Sequence, residues 1–541
     1  MFSIDFRYIL TGIIVAAMVI AGSIEDSFAI SSTNVLLDSQ LYAYLDKLGG
    51  MGLIHSDIKG IKPYSKAEAV RLLLEAENNI LTHDDAPAFA ASLLESGKQL
   101  LRREIDLKRN PEKAPLVGST PVSSLLLRYV YLDGKPRSYE RFVNDPGNDG
   151  VFGIGKGLRP ANPWPTPVRH HGTEGTPLFE NNDGIVYRNG SNAEVRCATE
   201  VAVQDKLAVL LEPSLMNNES ATTLRLNRGY LKVGGEALEL EVGRDENWLG
   251  PGYRGAMTLT NNARNLDFIK LSSPEPFQVT WLSWLGSIKY ALIVSQLDRT
   301  VTDGQERQPW FYALKLSLKP ARNVEIGFNL GRMQGGQGTD NSARAWVNGL
   351  VGGTSNDNSK ANAGFDGRYR IPWLLNTELY GELSGCDAAA FWPIVESYLA
   401  GIHIPMLTAD GKNELRFEYF RGNNILSTSG TFPTGFLYDN MPFGHSQGGA
   451  VEDYFARYVH WFDARNNVAL EYIYTERGSF GLLQGQAMER KNSGRIFWTM
   501  PVYDNVNIQL MYGVEHIANV DMTDNQNRTN QLVRFELRYR Y

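Results

Sequence analysis

The last eleven residues of the chain, 531–541, alternate strictly between two kinds of side chain. Apolar and aromatic residues occupy one parity and charged residues the other: Phe535, Leu537, Tyr539 and Tyr541 against Arg534, Glu536, Arg538 and Arg540. Because successive side chains of a β-strand point to opposite faces, this segment predicts a strand with one apolar and one charged face. Such a strand fits a soluble sandwich, or a membrane barrel whose apolar face meets lipid and whose charged face meets a wet lumen.

The N-terminus carries a short apolar run that predicts a secretory signal peptide. Residues 9–22 are mainly apolar, Arg7 precedes them and Ser27-Phe28-Ala29 follows them. This is the layout of a signal with a small-x-small cleavage site, and the run is too short to span a bilayer comfortably. We therefore expect residues 1–29 to be removed during export, with a retained membrane anchor as the alternative.

No later segment supplies the apolar run of 18 or more residues that marks a membrane-spanning helix. In lipid, only helices and closed barrels satisfy every backbone hydrogen-bonding group. A membrane location would therefore require strands.

Composition narrows the possible partners. The formal net charge is −7, which argues against nucleic acid, because nucleic-acid binding needs basic stripes. Two cysteines, Cys197 and Cys386, are too few for a disulfide scaffold or a cysteine zinc site, and their spacing leaves open whether they pair. The chain has 25 Tyr, 23 Phe and 52 Gly, a mixture expected of barrel girdles and turns.

Residues 30–112 show a helical period and predict a small periplasmic bundle. Leu41, Leu45 and Leu48 form an apolar stripe that Gly49-Gly50 stops. A capping box over residues 65–68 opens a second helix, and a third is expected from about residue 87 to residue 109. Nothing in this region indicates catalysis.

From Pro121 the period changes to two, and residues 121–541 predict an antiparallel barrel of about 18 strands. The predicted strands lie near 121–132, 193–204, 206–213, 222–233, 238–243, 277–286, 288–297, 310–319, 323–331, 365–371, 376–384, 396–404, 415–419, 453–461, 466–477, 494–501, 506–513 and 531–541. An even number of strands places both ends of the barrel segment on the periplasmic side.

The connection lengths support this topology. The odd-to-even connections are long: 133–192, 245–276, 332–364, 423–452, 478–493 and 516–530. The even-to-odd connections are short, and a soluble sandwich has no reason for such an alternation. The chain also ends on an aromatic residue, as closing strands of bacterial outer-membrane proteins do. We predict a mainly β, transmembrane antiparallel barrel in the Gram-negative outer membrane, with lumen-plugging loops and a small N-terminal periplasmic α-helical domain.

The connection after the fifth predicted strand is unusually rich in Gly, Asn and Arg. It contains Trp248-Leu-Gly-Pro-Gly252, followed by Asn261-Asn-Ala-Arg264. This pair of motifs resembles the signature of the capsule assembly protein Wzi family. The segments 377–387 and 44–54 are similar to other parts of that family, so the resemblance extends along the chain.

The resemblance implies an 18-stranded outer-membrane barrel with a periplasmic helical domain and a lectin-like, non-enzymatic role. Capsular or related extracellular polysaccharide is the implied ligand, with outer-membrane lipid and the capsule export machinery as further partners. Two features depart from the family pattern: a long connection at 133–192, and Leu249 where a second Trp is expected. Both concern the ligand-facing side, so the identity of the glycan stays open.

Three sequence features invite an enzymatic or metal-binding interpretation. His445-Ser446 is a Ser/His pair, but adjacent residues of an extended loop point apart. Glu239 and Glu241 could imitate a glycosidase pair, although a solvated lumen face explains them better. His170-His171 would need further ligands to hold a metal. We therefore predict no catalytic residue, no metal site and no cofactor.

Glycan binding requires aromatic faces for sugar C–H surfaces and planar polar groups for hydroxyls. The candidate ligand-binding residues are Trp248, Tyr253, Arg254, Asn262, Arg264 and Trp310. Trp164 and Trp346 are further outer-loop aromatics. Trp310 and Trp392 lie near predicted strand ends and are alternatively membrane-girdle residues. Trp248 is alternatively a packing residue of a lumen plug.

We expect residues 248–264 to fold into the lumen as this plug. Gly250, Gly252 and Gly255 would allow close backbone approach, and Pro251 would fix the turn between them. The expected partners of Asn261, Asn262 and Arg264 are lumen carboxylates, namely Glu239, Glu241 and Glu382. The rival function is a diffusion porin, because an 18-strand barrel is wide enough for an aqueous channel. A filled bore would favour the lectin.

Overall fold

A computed structural model of the 541-residue chain describes residues 31–82, 87–110, 117–151, 154–203, 206–235, 237–302, 304–350, 359–386, 393 and 395–540. The predicted signal peptide, 1–29, and Trp392 lie outside these residues. Among the described residues, no helix is both long enough and apolar enough to cross a membrane.

Eighteen antiparallel strands form one closed barrel. They are β1 (Val117–Asp133), β2 (Gly190–Val203), β3 (Leu207–Asn218), β4 (Thr222–Gly235), β5 (Leu238–Arg244), β6 (Asp267–Ser272), β7 (Ser287–Gln296), β8 (Gln305–Ala321), β9 (Val324–Gln337), β10 (Ser359–Ile371), β11 (Thr377–Cys386), β12 (Val395–Ile404), β13 (Asn413–Gly422), β14 (Val451–Asp463), β15 (Asn466–Arg477), β16 (Glu489–Tyr503), β17 (Val506–Ala518) and β18 (Arg528–Arg540). Each strand pairs with the next, and β18 closes on β1 from Ser124↔Arg540 to Asp133↔Gln531. The predicted fold class and strand number are confirmed.

The alternation of β18 separates an inner face from an outer face. Arg534 and Glu536 are buried in the barrel interior, whereas Val533 and Phe535 are exposed on the outer wall. Other strands follow the same pattern, with exposed apolar side chains at Leu127, Tyr129, Leu231, Val233, Leu240, Phe417, Leu470 and Tyr512. The outer wall is therefore apolar and the lumen is charged, as a barrel in lipid requires.

Exposed aromatic residues ring the end of the barrel where the connections are short. They are Trp281, Trp284, Trp373, Phe462 and Tyr503. Aromatic rings concentrate at membrane–water interfaces because they are apolar with a polar edge. This ring places one membrane boundary at what we call the short-turn end, and the opposite end is the long-loop end.

The prediction of a strand at 277–286 is wrong. The sixth strand is β6, Asp267–Ser272, whose Phe268 and Lys270 face inward while Leu271 faces outward. The predicted segment instead contains a 3-10 helix, Thr280–Leu285, in a 14-residue turn at the short-turn end. The apolar residues of this turn, Trp281 and Trp284, belong to the ring of exposed aromatic residues around the short-turn end. The apolar run was therefore mistaken for a strand. The long connection is consequently 245–266, and the turn to β7 is 273–286.

The long-loop connections carry secondary structure of their own. Small strands are Arg141–Asn144, Gly147–Val151, Ile154–Ala161, Pro167–His170, Trp248–Leu249, Thr300–Thr302, Leu437–Tyr438 and Met441–Pro442, with a 3-10 helix at Val520–Met522. Several connections fold over the bore and pack together. Phe311 of β8 stacks on Phe443 at 4.5 Å between ring centroids, with Phe436 against both. The long-loop end thus has an apolar roof.

In the described part of the chain, four helices precede the barrel: α1 (Gln40–Gly50), α2 (Lys66–Thr82), α3 (Ala88–Gln99) and α4 (Arg102–Arg109). A fifth, α5 (Ala343–Leu350), lies between β9 and β10. The predicted cap of α2 is present, because Glu68 N–H donates to Ser65 Oγ at 3.0 Å. The single predicted helix at 87–109 is wrong. It breaks at Leu101, whose φ of −131° is not helical and whose side chain is buried.

Helices α1–α4 pack against the short-turn end. Trp461 of β14 contacts Tyr44 and Phe89, with ring centroids 6.3 and 5.9 Å apart. The segment around these helices also enters the lumen. There Asp57 accepts from Arg368 at 3.0 Å and from Lys319 at 2.8 Å, so ion pairs fix the N-terminal segment to the barrel wall.

A two-stranded ribbon inside the barrel joins the two ends of the molecule. Ile61–Lys62 of the N-terminal segment pairs antiparallel with Trp248–Leu249 of the connection 245–266. Gly250 N–H also donates to Gly60 O at 3.0 Å. The lumen is therefore filled from both ends, and the two fillings share one ribbon.

We predict that the purified protein shows heat-modifiable mobility in gel electrophoresis with detergent. A closed barrel has no free strand edge from which to unravel, so the unheated form should stay compact and migrate faster than the boiled form. Identical mobility before and after boiling, from protein that had bound detergent, would contradict the closed barrel.

Candidate functional site

The connection 245–266 forms the outer half of the filling, and its glycines permit close contacts. Gly250 has φ +148°, and a Cβ there would lie 2.6 Å from Ala256 Cβ. A Cβ on Gly255 would lie 2.1 Å from the ring of His445. Both positions therefore require glycine, which confirms the sequence-based expectation of close approach at this motif.

Arg254 fixes the outer half of the filling to the barrel. Its guanidinium pairs with Glu180 at 3.2 Å and with Asp453. Its backbone N–H donates to Glu418 at 3.1 Å, and its carbonyl accepts from Asn181 at 2.8 Å. Since all these groups are buried or nearly so, Arg254 acts as a structural pin between two connections and two strands.

The partners expected for Asn261, Asn262 and Arg264 are wrong. Asn261 donates to Asp183 at 3.2 Å and Asn262 donates to Pro442 O at 3.1 Å. Arg264 pairs with Asp298 and stacks over the Tyr438 ring at 4.8 Å.

The expected carboxylates have other partners. Glu239 pairs with Lys232 at 2.8 Å and Glu241 with Lys270 at 3.4 Å. Glu382 accepts from Met257 N–H at 3.0 Å. The sequence could not show this, because neighbouring strands already supply the partners of the lumen acids.

The aromatic candidates occupy three different environments. Trp248 is buried beside Lys62, whose ammonium lies 5.7 Å from its ring. Tyr253 is 40% exposed although it lies inside the barrel, because its ring borders an internal cavity. Trp310 has the parity of Leu314 and Leu316 on β8, opposite to the buried Phe311 and Lys315, so it faces the outer wall. The structure therefore brings Trp248, Tyr253 and Arg254 together and leaves Trp310 apart.

Two adjoining cavities of about 290 and 350 Å³ lie between the connection 245–266 and the N-terminal segment. We call them together the chamber. Tyr42, Lys62, Tyr253, Arg457 and Phe497 border both cavities. Sequence reasoning found Tyr253 but missed the others, because they come from distant parts of the chain.

The Ser/His interpretation finds no support in the geometry. His445 stacks on Phe420 at 3.7 Å between ring centroids, and burial lowers its pKa well below the usual range. Ser446 Oγ has no hydrogen-bond partner among the described residues. His170 Nε2 donates to the Asn424 carbonyl oxygen at 2.7 Å, and burial lowers the pKa of His170 to about 3. Both histidines are packing residues.

One acidic cluster has metal-like spacing. Asp46, Glu378 and His403 offer ligand atoms within 4.8 Å of one another. Lys59 Nζ already pairs with Asp46, and with Glu378 at 3.1 Å, while Arg416 pairs with Asp46 at 2.7 Å. These side chains supply the positive charge that an ion would bring, so the cluster belongs to the ion pairs that hold the N-terminal segment.

The long connection between β1 and β2 forms an outer patch. Trp164 is 79% exposed at the tip of a ribbon, and Phe142 is exposed on the strand beside it. Glu140 accepts from His171 Nδ1 at 2.8 Å and pairs with Arg169 at 3.5 Å. We call these five residues the outer patch. It combines exposed rings with planar polar groups, and the sequence singled out only Trp164 and His171 from it.

Comparison with known proteins gives one family and one similar fold. The family description "Capsule assembly protein Wzi" matches residues 159–532, more than half of the chain. A solved structure, described as Wzi, an outer membrane protein involved in group 1 capsule assembly in Escherichia coli and a carbohydrate-binding β-barrel, is 16% identical. The match covers 94% of this chain and 100% of that one, with a TM-score of 0.65. It shows the fold.

Weaker similarities extend to other barrels. Pseudomonas aeruginosa OpdQ is 10% identical over 78% of this chain and 97% of that one, with a TM-score of 0.42. OprD of the same organism is 9% identical over 79% and 96%, with a TM-score of 0.41. At these scores neither bears on function. No curated protein sequence matches the chain.

We predict that Arg254→Ala lowers the free energy of unfolding by about 3–5 kcal/mol, because it leaves the buried Asp453 carboxylate without its cationic partner. Arg264→Ala is the matched control. Its partner Asp298 is largely exposed, so the loss should be about 0.2–1 kcal/mol. Denaturant titration in detergent micelles measures both values. Equal losses would show that Arg254 does not pin the filling.

Proposed function

We propose that this chain, which belongs to the capsule assembly protein Wzi family, holds capsular or related polysaccharide at the cell surface as a non-enzymatic lectin. It is an outer-membrane β-barrel protein. In the proposed arrangement the long-loop end faces outward and helices α1–α4 lie in the periplasm. Outer-membrane lipid surrounds the apolar wall, and the capsule export machinery is a further partner on this proposal.

The observation that carries the proposal is the filling of the lumen from both ends. Residues 61–62 and 248–249 pair inside the bore, and Arg254 and Asp57 tie the two halves to the wall. A barrel filled in this way is poorly suited to free diffusion of solutes. This supports a binding role over the porin alternative.

The outer patch supplies the chemistry that a lectin needs. The rings of Trp164 and Phe142 can pack on sugar C–H faces, which are weakly polar surfaces. Glu140, Arg169 and His171 offer donors and acceptors to hydroxyl groups around those rings. Because single surface sites bind weakly, many copies engaging one long chain would supply retention through multivalency.

We predict that cells lacking the protein release polysaccharide into the medium while total production is unchanged. Trp164→Ala should shift at least half of the retained polysaccharide into the medium, because it removes the most exposed ring of the outer patch. The measurement compares cell-attached with shed polysaccharide at equal surface expression.

Trp373→Ala is the matched control for this experiment. Trp373 is 81% exposed, but it lies on the short-turn end. Its replacement should leave retention unchanged. Equal retention in the deletion strain and the wild type would refute the lectin proposal.

We also predict that the wild-type protein gives no large steady conductance in planar bilayers. The two-part filling should keep the bore closed to hydrated ions at moderate voltage. A variant lacking residues 248–264 should conduct, because it lacks the outer half and the ribbon. Steady open currents from intact wild-type protein would instead favour the porin.

A further inference from the structure

The chamber is large enough to hold a ligand. Its two cavities measure about 290 and 350 Å³, and they share eight bordering residues. Small-molecule sites in proteins begin at roughly this size, about 300 Å³. The chamber is also separate from the outer patch, which lies on the far side of the connection 245–266.

Rings and guanidinium groups alternate on the chamber wall. The guanidinium carbons of Arg457, Arg495 and Arg534 lie 5.6, 5.8 and 5.8 Å from the Phe497 ring centroid. Tyr253 presents its partly exposed ring to the same space. Rings accept the C–H face of a sugar, and guanidinium groups bind carboxylates through two parallel hydrogen bonds.

The net charge on the wall of the larger cavity is opposite in sign to that of the whole chain. This cavity is bordered by eight basic and five acidic residues, whereas the formal net charge of the chain is −7. Some of the carboxylates that hold the guanidinium groups lie behind the wall, whereas Glu180 and Glu471, which pair with Arg495, border the cavity themselves. Glu536, for example, pairs with Arg128 at 2.6 Å and with Arg534 at 3.2 Å but does not border the cavity. The wall therefore presents fixed cations to whatever occupies the space.

We propose that the chamber is a binding site for an acidic sugar unit, a pyranose ring that carries a carboxylate. Its ring packs against Tyr253 and Phe497, and its carboxylate meets Arg457, Arg495 and Arg534. This inference rests on the proposed function, because the ligand is taken to be a unit of the same class of polysaccharide.

A third, narrower cavity extends from the chamber towards the short-turn end. Asp38 and Gln509 border it as well as both chamber cavities. It continues to Asn505, which is exposed in the turn between β16 and β17. This cavity, of about 30 Å³, lies between the chamber and the short-turn end, beside the first turn of α1.

The test uses the purified full chain in detergent and isothermal titration calorimetry. Sodium D-glucuronate is the probe, with D-glucose and sodium acetate as comparators. Glucuronate should bind at one site, at least tenfold more tightly than either comparator. Acetate binding as tightly as glucuronate would reduce the chamber to a counter-ion site, and glucose binding equally well would remove the role of the arginines. Either result overturns the proposal.

Arg457→Gln tests the chamber wall with little risk to folding. Glu471 keeps a partner in this variant, because Arg495 donates to it at 2.8 Å. Glucuronate affinity should fall at least tenfold, while Trp373→Ala, outside both proposed sites, should leave it unchanged. Heat-modifiable mobility reports whether each variant is folded, and Tyr253→Ala offers a second wall variant. Unchanged affinity in both wall variants would overturn the proposal.

The two proposals can fail separately. If cells that carry Trp164→Ala shed polysaccharide but the wild-type protein does not bind glucuronate, the chamber proposal fails and the lectin proposal stands. If glucuronate binds and Arg457→Gln weakens it, while the deletion strain retains its polysaccharide, the lectin fails and the chamber stands.

Discussion

The structure depends on pairing the charges that a closed barrel encloses. An isolated charge taken out of water is costly, so the lumen is stable only when its acids and bases meet with good geometry. Arg368 illustrates the solution, because it pairs with Glu325 at 2.8 Å on the wall and with Asp57 at 3.0 Å on the N-terminal segment. The wall alone leaves such groups incompletely paired. The N-terminal segment and the connection 245–266 complete them, which makes the filling part of the fold.

The same requirement links the fold to its proposed use. Arg254 holds the outer half of the filling to Asp453 of the wall and to Glu180 of the connection between β1 and β2, while Trp164 of that same connection is exposed. The wall carries the arginines of the chamber on strands, which position side chains more accurately than loops do. Rigid interior and exposed outer patch therefore serve one binding role in the proposal.

Much of the fold could be predicted from the sequence, because apolar and polar side chains alternate along barrel strands with a period of two residues. Seventeen of the predicted strand positions coincide with strands of the barrel. The segment 277–286 was wrongly predicted to be a strand because a turn at the membrane interface and a lipid-facing strand contain the same kinds of apolar residue. The partners of Arg264 were wrongly predicted because Asp298 and Tyr438 belong to distant connections. No local sequence pattern indicates that these connections approach Arg264. Trp310 could have been placed from parity alone, since it alternates with Phe311 on β8.

The ribbon of residues 61–62 and 248–249 also has a mechanical consequence. On the proposed function, a polysaccharide anchored outside exerts tension on the long-loop end, and the two residue pairs of the ribbon are a far weaker fastening than the continuous ladder of eighteen strands. Under load the ribbon would yield before the wall. The N-terminal segment would then be held to the connection 245–266 by isolated hydrogen bonds, such as those from Asn34 to Asp245 and from Leu37 N–H to Glu246, both at 2.7 Å, while the barrel stayed intact. The ribbon that links the two sides of the membrane would thus separate at a lower force than the force needed to unravel the barrel.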